Sequence, residues 1–116
     1  SVSSVSLSGL QELLKKNISE SQLAKEANFM EEVRRRIAKN GAVAYGFEDV
    51  KKSLAAIETL AIGEKLISEY RTKGEYDKID KLVTAVERAG GKDFVADNKE
   101  LDGLGGIVAL LRYKIN

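Results

Sequence analysis

Apolar positions recur at two different periods along this chain, and the change between them divides it. Leu10, Leu13 and Leu14 fall at i, i+3 and i+4 and mark a short helix. Ser8 and Gln11 have capping-box spacing ahead of it, and Lys15, Lys16 and Asn17 suit its C-terminal end. A longer helix is expected over Ser21–Lys39, opened by the pair Ser19 and Gln22. Its stripe is Leu23, Ala27, Met30, Arg34 and Ile37, with Phe29 and Val33 beside it. That width predicts packing on a sheet rather than a coiled-coil seam. Asn40-Gly41 is a strong stop. Beyond it the elements become short and alternate. Strands are predicted at Val43–Tyr45, Thr59–Ile62, Phe94–Ala96 and Ile107–Tyr113. Helices are predicted from Glu48 to about Ala56, over Glu64–Tyr70 and over Glu75–Arg88, and Asp97–Gly106 is expected to be a polar loop. Strands alternating with helices predict an α/β sandwich.

Composition narrows the functions open to such a fold. The 116 residues suit one domain. Nineteen basic and eighteen acidic side chains leave a net charge of +1, without the basic excess of a non-specific nucleic-acid binder. The chain has no Cys, which excludes disulfides, thiolate metal sites and a Cys nucleophile. It has no His, the commonest general base and metal ligand. No catalytic residue, cofactor or metal site is expected. The longest nearly apolar run, Ile107–Leu111, is far short of the roughly 20 residues of a spanning helix. Ser1–Ser8 has neither the basic nor the apolar region of a signal peptide. The start at Ser1 rather than Met fits a downstream piece of a longer protein.

Several residue groups invite a chemical reading, and each has an ordinary explanation. Gly90-Gly91 follows a helix and Gly105-Gly106 precedes a strand, the reverse of the order a phosphate loop requires. Helix cap and tight turn are the expectation. Asp77 and Asp80 alternate with Lys78 and Lys81, as on a solvated, salt-bridged face. Arg34-Arg35-Arg36 is the densest basic run, but three consecutive helical positions do not form one patch, and Glu31 and Glu32 are placed to pair with Arg35 and Arg36. A solvated face is expected there, with contact to ribosomal RNA or a partner protein as the alternative. Phe29, Tyr45, Phe47, Phe94 and Tyr113 sit in apolar periodic segments and are assigned to the core. No Gly-x-Ser-x-Gly or Ser-x-x-Lys motif supports nucleophilic catalysis.

Four segments carry a family resemblance. They are Gly9–Leu14, Ala44-Tyr45-Gly46-Phe47-Glu48-Asp49-Val50, Ala55-Ala56-Ile57-Glu58-Thr59-Leu60 and Gly105-Gly106-Ile107-Val108-Ala109-Leu110-Leu111-Arg112-Tyr113. In that order and spacing the chain resembles the C-terminal domain shared by pelota proteins and the class-1 release factors of eukaryotes and archaea. The nearer likeness is to pelota, because the chain stops three residues after Tyr113, and its shortness points to an archaeal member. Two departures stand out. Ala96–Leu104 lacks the family's His and is shortened, and Ala61-Ile62-Gly63-Glu64 stands where a strand often ends in Asp.

The resemblance implies a three-layer α/β/α sandwich around a mixed four-stranded sheet, similar to that of kink-turn-binding ribosomal proteins. The expected division is a helical connector over residues 1–19 and the domain proper over 20–116. The RNA binders place an Asn at the start of the helix after the first strand, where this chain has Glu48. An ionised carboxylate repels phosphate and donates no hydrogen bond, so the scaffold is expected without the RNA site. The implied function is protein docking in ribosome rescue and recycling, on a monomeric, cytoplasmic factor. The implied partners are a translational GTPase of the elongation-factor class, the ribosome-splitting ABC-type ATPase and, through the whole protein, the ribosome. The docking residues carried over from the family's Leu-Arg-Tyr tail are Leu110, Leu111, Arg112 and Tyr113. Strand alternation sends some of these side chains into the core. A small RNA-binding ribosomal-type protein of the same fold, or a release-factor domain, is the alternative.

Overall fold

The computed structural model describes residues 23–114, which leaves the expected connector helix outside the described residues. The chain divides into two units, Ser1–Glu32 and Val33–Asn116. Helix α1 covers residues 23–38. Its buried positions are Glu26, Phe29, Met30 and Val33, while Leu23 is exposed. The apolar face is therefore turned by about one position from the expected stripe. Phe29 and Val33 lie at its centre, and Glu26, a polar residue, holds the place where an apolar one would have revealed the phase. Helix α1 stops where Asn40-Gly41 predicts. Asn40 takes φ 54°, its N–H bonds Ile37 O at 3.1 Å and the Gly41 N–H bonds Arg36 O at 2.7 Å, the double closure of a left-handed helix cap.

The remaining elements follow as β1 (Val43–Tyr45), α2 (Phe47–Lys52), a 3₁₀ turn (Leu54–Ala56), β2 (Ile57–Gly63), α3 (Glu64–Thr72), α4 (Tyr76–Arg88), β3 (Lys92–Ala96), α5 (Lys99–Gly103) and β4 (Ile107–Leu111). The strands form one mixed sheet in the order β1-β4-β2-β3, with β4 antiparallel to both neighbours and β2 parallel to β3. The last strand in sequence thus becomes a central strand. All five of its residues are buried, which is why it reads as a continuous apolar run instead of an alternation. On one face Ala44, Leu60, Ile62, Ile107, Ala109 and Leu111 pack with Val50 of α2 and Ile79, Leu82 and Val86 of α4. A register shift between Ile57 and Thr59 lets Ile57 join that same face. Ala61, Val108 and Leu110 are buried on the other face. Arg34 meets Glu100 of α5 at 3.4 Å, with both side chains about half exposed. The α/β class and the mixed four-stranded sheet match the expectation.

Several element boundaries differ from the expected ones: β2 and β3 each begin two residues early, at Ile57 and Lys92, α3 runs on to Thr72, and three larger differences follow. Helix α2 ends at Lys52, where the Ser53 N–H is shared between Asp49 O and Val50 O at 3.2 and 3.1 Å and the chain tightens into the 3₁₀ turn. The expected loop 97–106 contains α5. Asn98 caps it by accepting the Leu101 N–H at 2.9 Å, and Leu101 is fully buried. The helix exists because one cap and one buried anchor suffice inside a folded domain, where five residues alone would not hold it. Strand β4 ends at Leu111, not Tyr113.

Two of the resemblance motifs meet in space. A Cβ on Gly105 would lie 3.0 Å from Gly46 Cα, and the Gly46 N–H donates to Ile107 O at 2.9 Å. The motif glycines 46 and 105 therefore specify the join between β1 and β4. Gly90 caps α4 at φ 87°, as expected for a helix stop rather than a phosphate loop.

Candidate docking surface

The expected docking tail splits at the end of β4. Leu110 is 7% exposed and Leu111 is 3% exposed. They point to opposite faces of a central strand and hold the sheet together. Arg112 emerges, and Tyr113 is 58% exposed. The Arg112 backbone remains tied down, with its N–H donating to Ala56 O at 2.8 Å. Its guanidinium reaches the end of α4, where Nη2 lies 3.4 Å from Ala89 O. That contact is long for a hydrogen bond, but the charge suits a helix C-terminus. The result is a cation and an aromatic ring, both exposed, on a rigid strand end.

A polar cavity of about 270 Å³ opens beside this tail, lined by Asn40, Tyr45, Asp49, Lys52, Leu111 and Lys114 among others. Tyr45 is 44% exposed, so neither it nor Tyr113 is the core residue the sequence pattern implied. Tyr45 lies on the edge strand β1 next to Gly46, and an edge leaves one flank of a side chain open. Phe29 is buried, and Phe47 and Phe94 are half-buried. The Tyr45 N–H faces Asp49 Oδ2 at 3.4 Å, which links the edge strand to the first turn of α2. Glu48 is exposed on that turn.

The arginine run does not act as one surface. Arg34 pairs with Glu100. Arg36 is half-buried, and its Nη1 donates to Ala42 O at 2.9 Å and to Leu111 O at 2.8 Å. One guanidinium nitrogen thus clasps the start of β1 to the end of β4, directly behind Arg112. Nothing in the local sequence separates Arg36 from its neighbours. Only the position of two strand ends does so, the farther of them 75 residues from Arg36 in sequence. Arg36→Ala is expected to remove a charged donor from both carbonyls, of which Ala42 O keeps the Leu111 N–H at 3.1 Å, and to cost about 1–3 kcal/mol. Chemical denaturation measures that loss, and Arg36→Lys is expected to recover part of it.

A second polar feature lies under α4. Asp93 is paired in register with Leu60, and its Oδ2 is buried without a hydrogen-bond partner among the described residues. Burial, a shared hydrogen bond with Glu87 and the charge of Glu87 push the Asp93 carboxyl up to about 6. Two carboxyl groups share a hydrogen bond only when one is protonated. The folded state therefore holds this proton more tightly than the unfolded chain does. Its stabilisation is complete below about pH 4 and is lost as pH rises towards 6. Asp93→Asn is expected to raise stability at neutral pH by about 1 kcal/mol, a figure discounted for partial solvent screening. Little change is expected at pH 4. Thermal melts at the two pH values make the comparison.

The mixed sheet closed by a central final strand belongs to a translation-factor domain class, as a family-model match shows. The family model for eRF1 domain 3 matches residues 23–115, and the chain belongs to that family. Pelota homologs of archaea are among its relatives. A protein pelota homolog of Methanosarcina mazei is 42% identical over 97% of this chain, and the chain spans about a third (35%) of that protein's length. The crystal structure of Archaeoglobus fulgidus Pelota superposes with a TM-score of 0.79 at 36% identity, covering 93% of this chain and 37% of that one. Archaeal Pelota, in a structure of its ribosome-bound state with ABCE1, matches at 0.70 and 32% identity over 91% of this chain and 31% of its own. Saccharomyces cerevisiae Dom34, described as a termination-like factor interacting with Hbs1, matches at 0.75 and 28% identity over 94% of this chain and 34% of its own.

Proposed function

We propose that this chain is the protein-docking domain of a pelota-like ribosome rescue factor, gripped by an elongation-factor-class GTPase and by the ABC-type ATPase that splits ribosomes. The observation that carries the reading is the exposed Arg112–Tyr113 pair at the end of a fully buried strand. Arg and Tyr are residues on which interface energy concentrates, and a rigid mount lowers the entropy lost on binding. The relatives add support, since one is captured with ABCE1 on the ribosome and another is described as interacting with Hbs1. The domain acts by binding, with no bond chemistry of its own, as a monomer in the cytoplasm where ribosomes stall. It meets the ribosome through the rest of the protein.

Glu48 weighs against the RNA-binding alternative, because it sets an exposed carboxylate where the RNA binders of this fold present an amide. The test is a pull-down of purified archaeal elongation-factor-class GTPase by the 116-residue chain, beside a salt titration of kink-turn RNA. Capture of the GTPase with weak RNA binding is expected. Tight, steeply salt-dependent RNA binding without GTPase capture would overturn the reading.

A further inference from the structure

The tail at Arg112 is not the only feature fitted to a protein partner. A groove of about 340 Å³ runs between α2 and α4. Its floor is Phe47, Leu54 and Leu82, and its walls carry Lys51, Lys78 and Lys81 against the single acid Glu48. The floor is preformed. The Phe47 ring leans on Tyr70 with centroids 5.6 Å apart, and Leu82 is anchored in the main core. Its centre on α4 lies about 14 Å along the helix from Ala89, where the Arg112 guanidinium sits, at 1.5 Å per residue.

The charges choose the occupant. Lys78 pairs with Glu75 at 3.2 Å and Lys81 with Asp77 at 3.9 Å, both within α4 and on exposed side chains. Such pairs hold their partners weakly, at about 0–1 kcal/mol, so either ammonium can turn to an incoming carboxylate. Lys51 stands across the groove on α2. Three ammonium groups around an apolar floor complement a segment that carries acids on either side of an apolar anchor. Nucleic acid fits less well, because Glu48 opposes phosphate and Phe47 is half-buried against Tyr70 instead of presenting a free face for base stacking.

We infer that the groove between α2 and α4 docks an acidic amphipathic segment of a protein partner, with a Leu- or Phe-type side chain seated on Leu54 and Leu82 and Asp or Glu residues meeting Lys51, Lys78 and Lys81. This is the helix-in-groove mode of recognition. The inference rests on the docking role proposed above and adds to it a second contact surface with a defined chemistry.

The probe is a fluorescein-labelled synthetic helix of about twelve residues, with Leu at i, i+3 and i+7 and Glu at most other positions. Its binding to the 116-residue chain is followed by fluorescence anisotropy and by amide chemical-shift mapping. Binding that weakens with salt, with shifts centred on residues 47–54 and 78–82, is expected. The double exchange K51E/K81E is expected to weaken it about ten-fold or more at an unchanged melting temperature. Should charge reversal unfold α2, K51A/K81A serves instead, with about three-fold weakening expected. Equal binding of a probe with Lys in place of Glu would overturn the inference. So would shifts elsewhere, indifference to both lysine variants, or structured RNA displacing the probe from the same residues. The GTPase pull-down run in parallel separates the two readings: failed probe binding with retained capture removes the groove alone, whereas failed capture removes the docking role itself.

Discussion

Alanine at both Arg112 and Tyr113 is expected to weaken capture of the elongation-factor-class GTPase at least ten-fold, with a melting temperature within about 5 °C of the parent. Both side chains are exposed, and the loss of an exposed side chain usually changes stability by no more than about 0.5 kcal/mol. Among the described residues the side-chain bond at stake is Arg112 Nη2 to Ala89 O, which is 3.4 Å long and contributes little. On the binding side, an exposed Arg-Tyr pair whose truncation costs about 1.4 kcal/mol gives the ten-fold loss. Leu111→Ala supplies the contrast. Leu111 belongs to the core cluster, and its truncation is expected to cost about 2–5 kcal/mol of folding stability. Affinity and thermal melts measured on both variants distinguish a contact residue from a structural one. A double variant that loses folding and binding together would show that the whole motif is core.

A loss of stability on the same scale as that of Leu111→Ala is expected at Gly91. A Cβ there would lie 2.8 Å from both Ile57 O and Val86 Cγ1, and 3.2 Å from Val86 O. Two of these three atoms are backbone, one at the start of β2 and one in the last turn of α4. Neither can swing aside as a side-chain tip would. The Gly91 N–H also bonds Val86 O at 2.9 Å, which closes the cap of α4. Gly91→Ala therefore has to pry the helix from the sheet, and a loss of about 3 kcal/mol is expected, at the upper end for overpacking. For a domain of this size that corresponds to a fall of roughly 12–20 °C in Tm. Gly103 is the control, because nothing lies within 4 Å of a Cβ added there. Gly103→Ala is expected to be neutral or to stabilise by about 0.4–1 kcal/mol through the unfolded chain. Circular dichroism melts of the two variants compare directly, and a Gly91→Ala protein that melts like its parent would contradict this packing.

How far local pattern reaches is visible at particular residues. Asn40-Gly41 announced the end of α1 because a left-handed cap depends on two adjacent residues and little else. The helical face of Ile79, Leu82 and Val86 was legible for a similar reason, since burial on one side of a 13-residue helix imposes its own period. Helix α5 is not legible in the local pattern, although Asn98 and Leu101 hold its cap and its anchor. A single turn of helix carries too few positions to set a period. The exposure of Tyr45 is not legible either, because alternation reports a strand but not whether that strand lies at an edge.

What the order of amino acids determined by itself was local and compositional: the alternation of helices with strands, the absence of the thiol and imidazole that much catalysis needs, and motifs specific enough to resemble one family. Tertiary structure alone decided the rest. It made β4 a central strand, so that Leu110 and Leu111 became core while Arg112 and Tyr113 stayed outside. It singled out Arg36 from three adjacent arginines by bringing Ala42 O and Leu111 O to one nitrogen. It also set Lys51 across a groove from Lys78 and Lys81. The physical reason is common to all three. Burial and convergence depend on contacts between residues distant in sequence, and no local period encodes which distant strand or helix will be the neighbour.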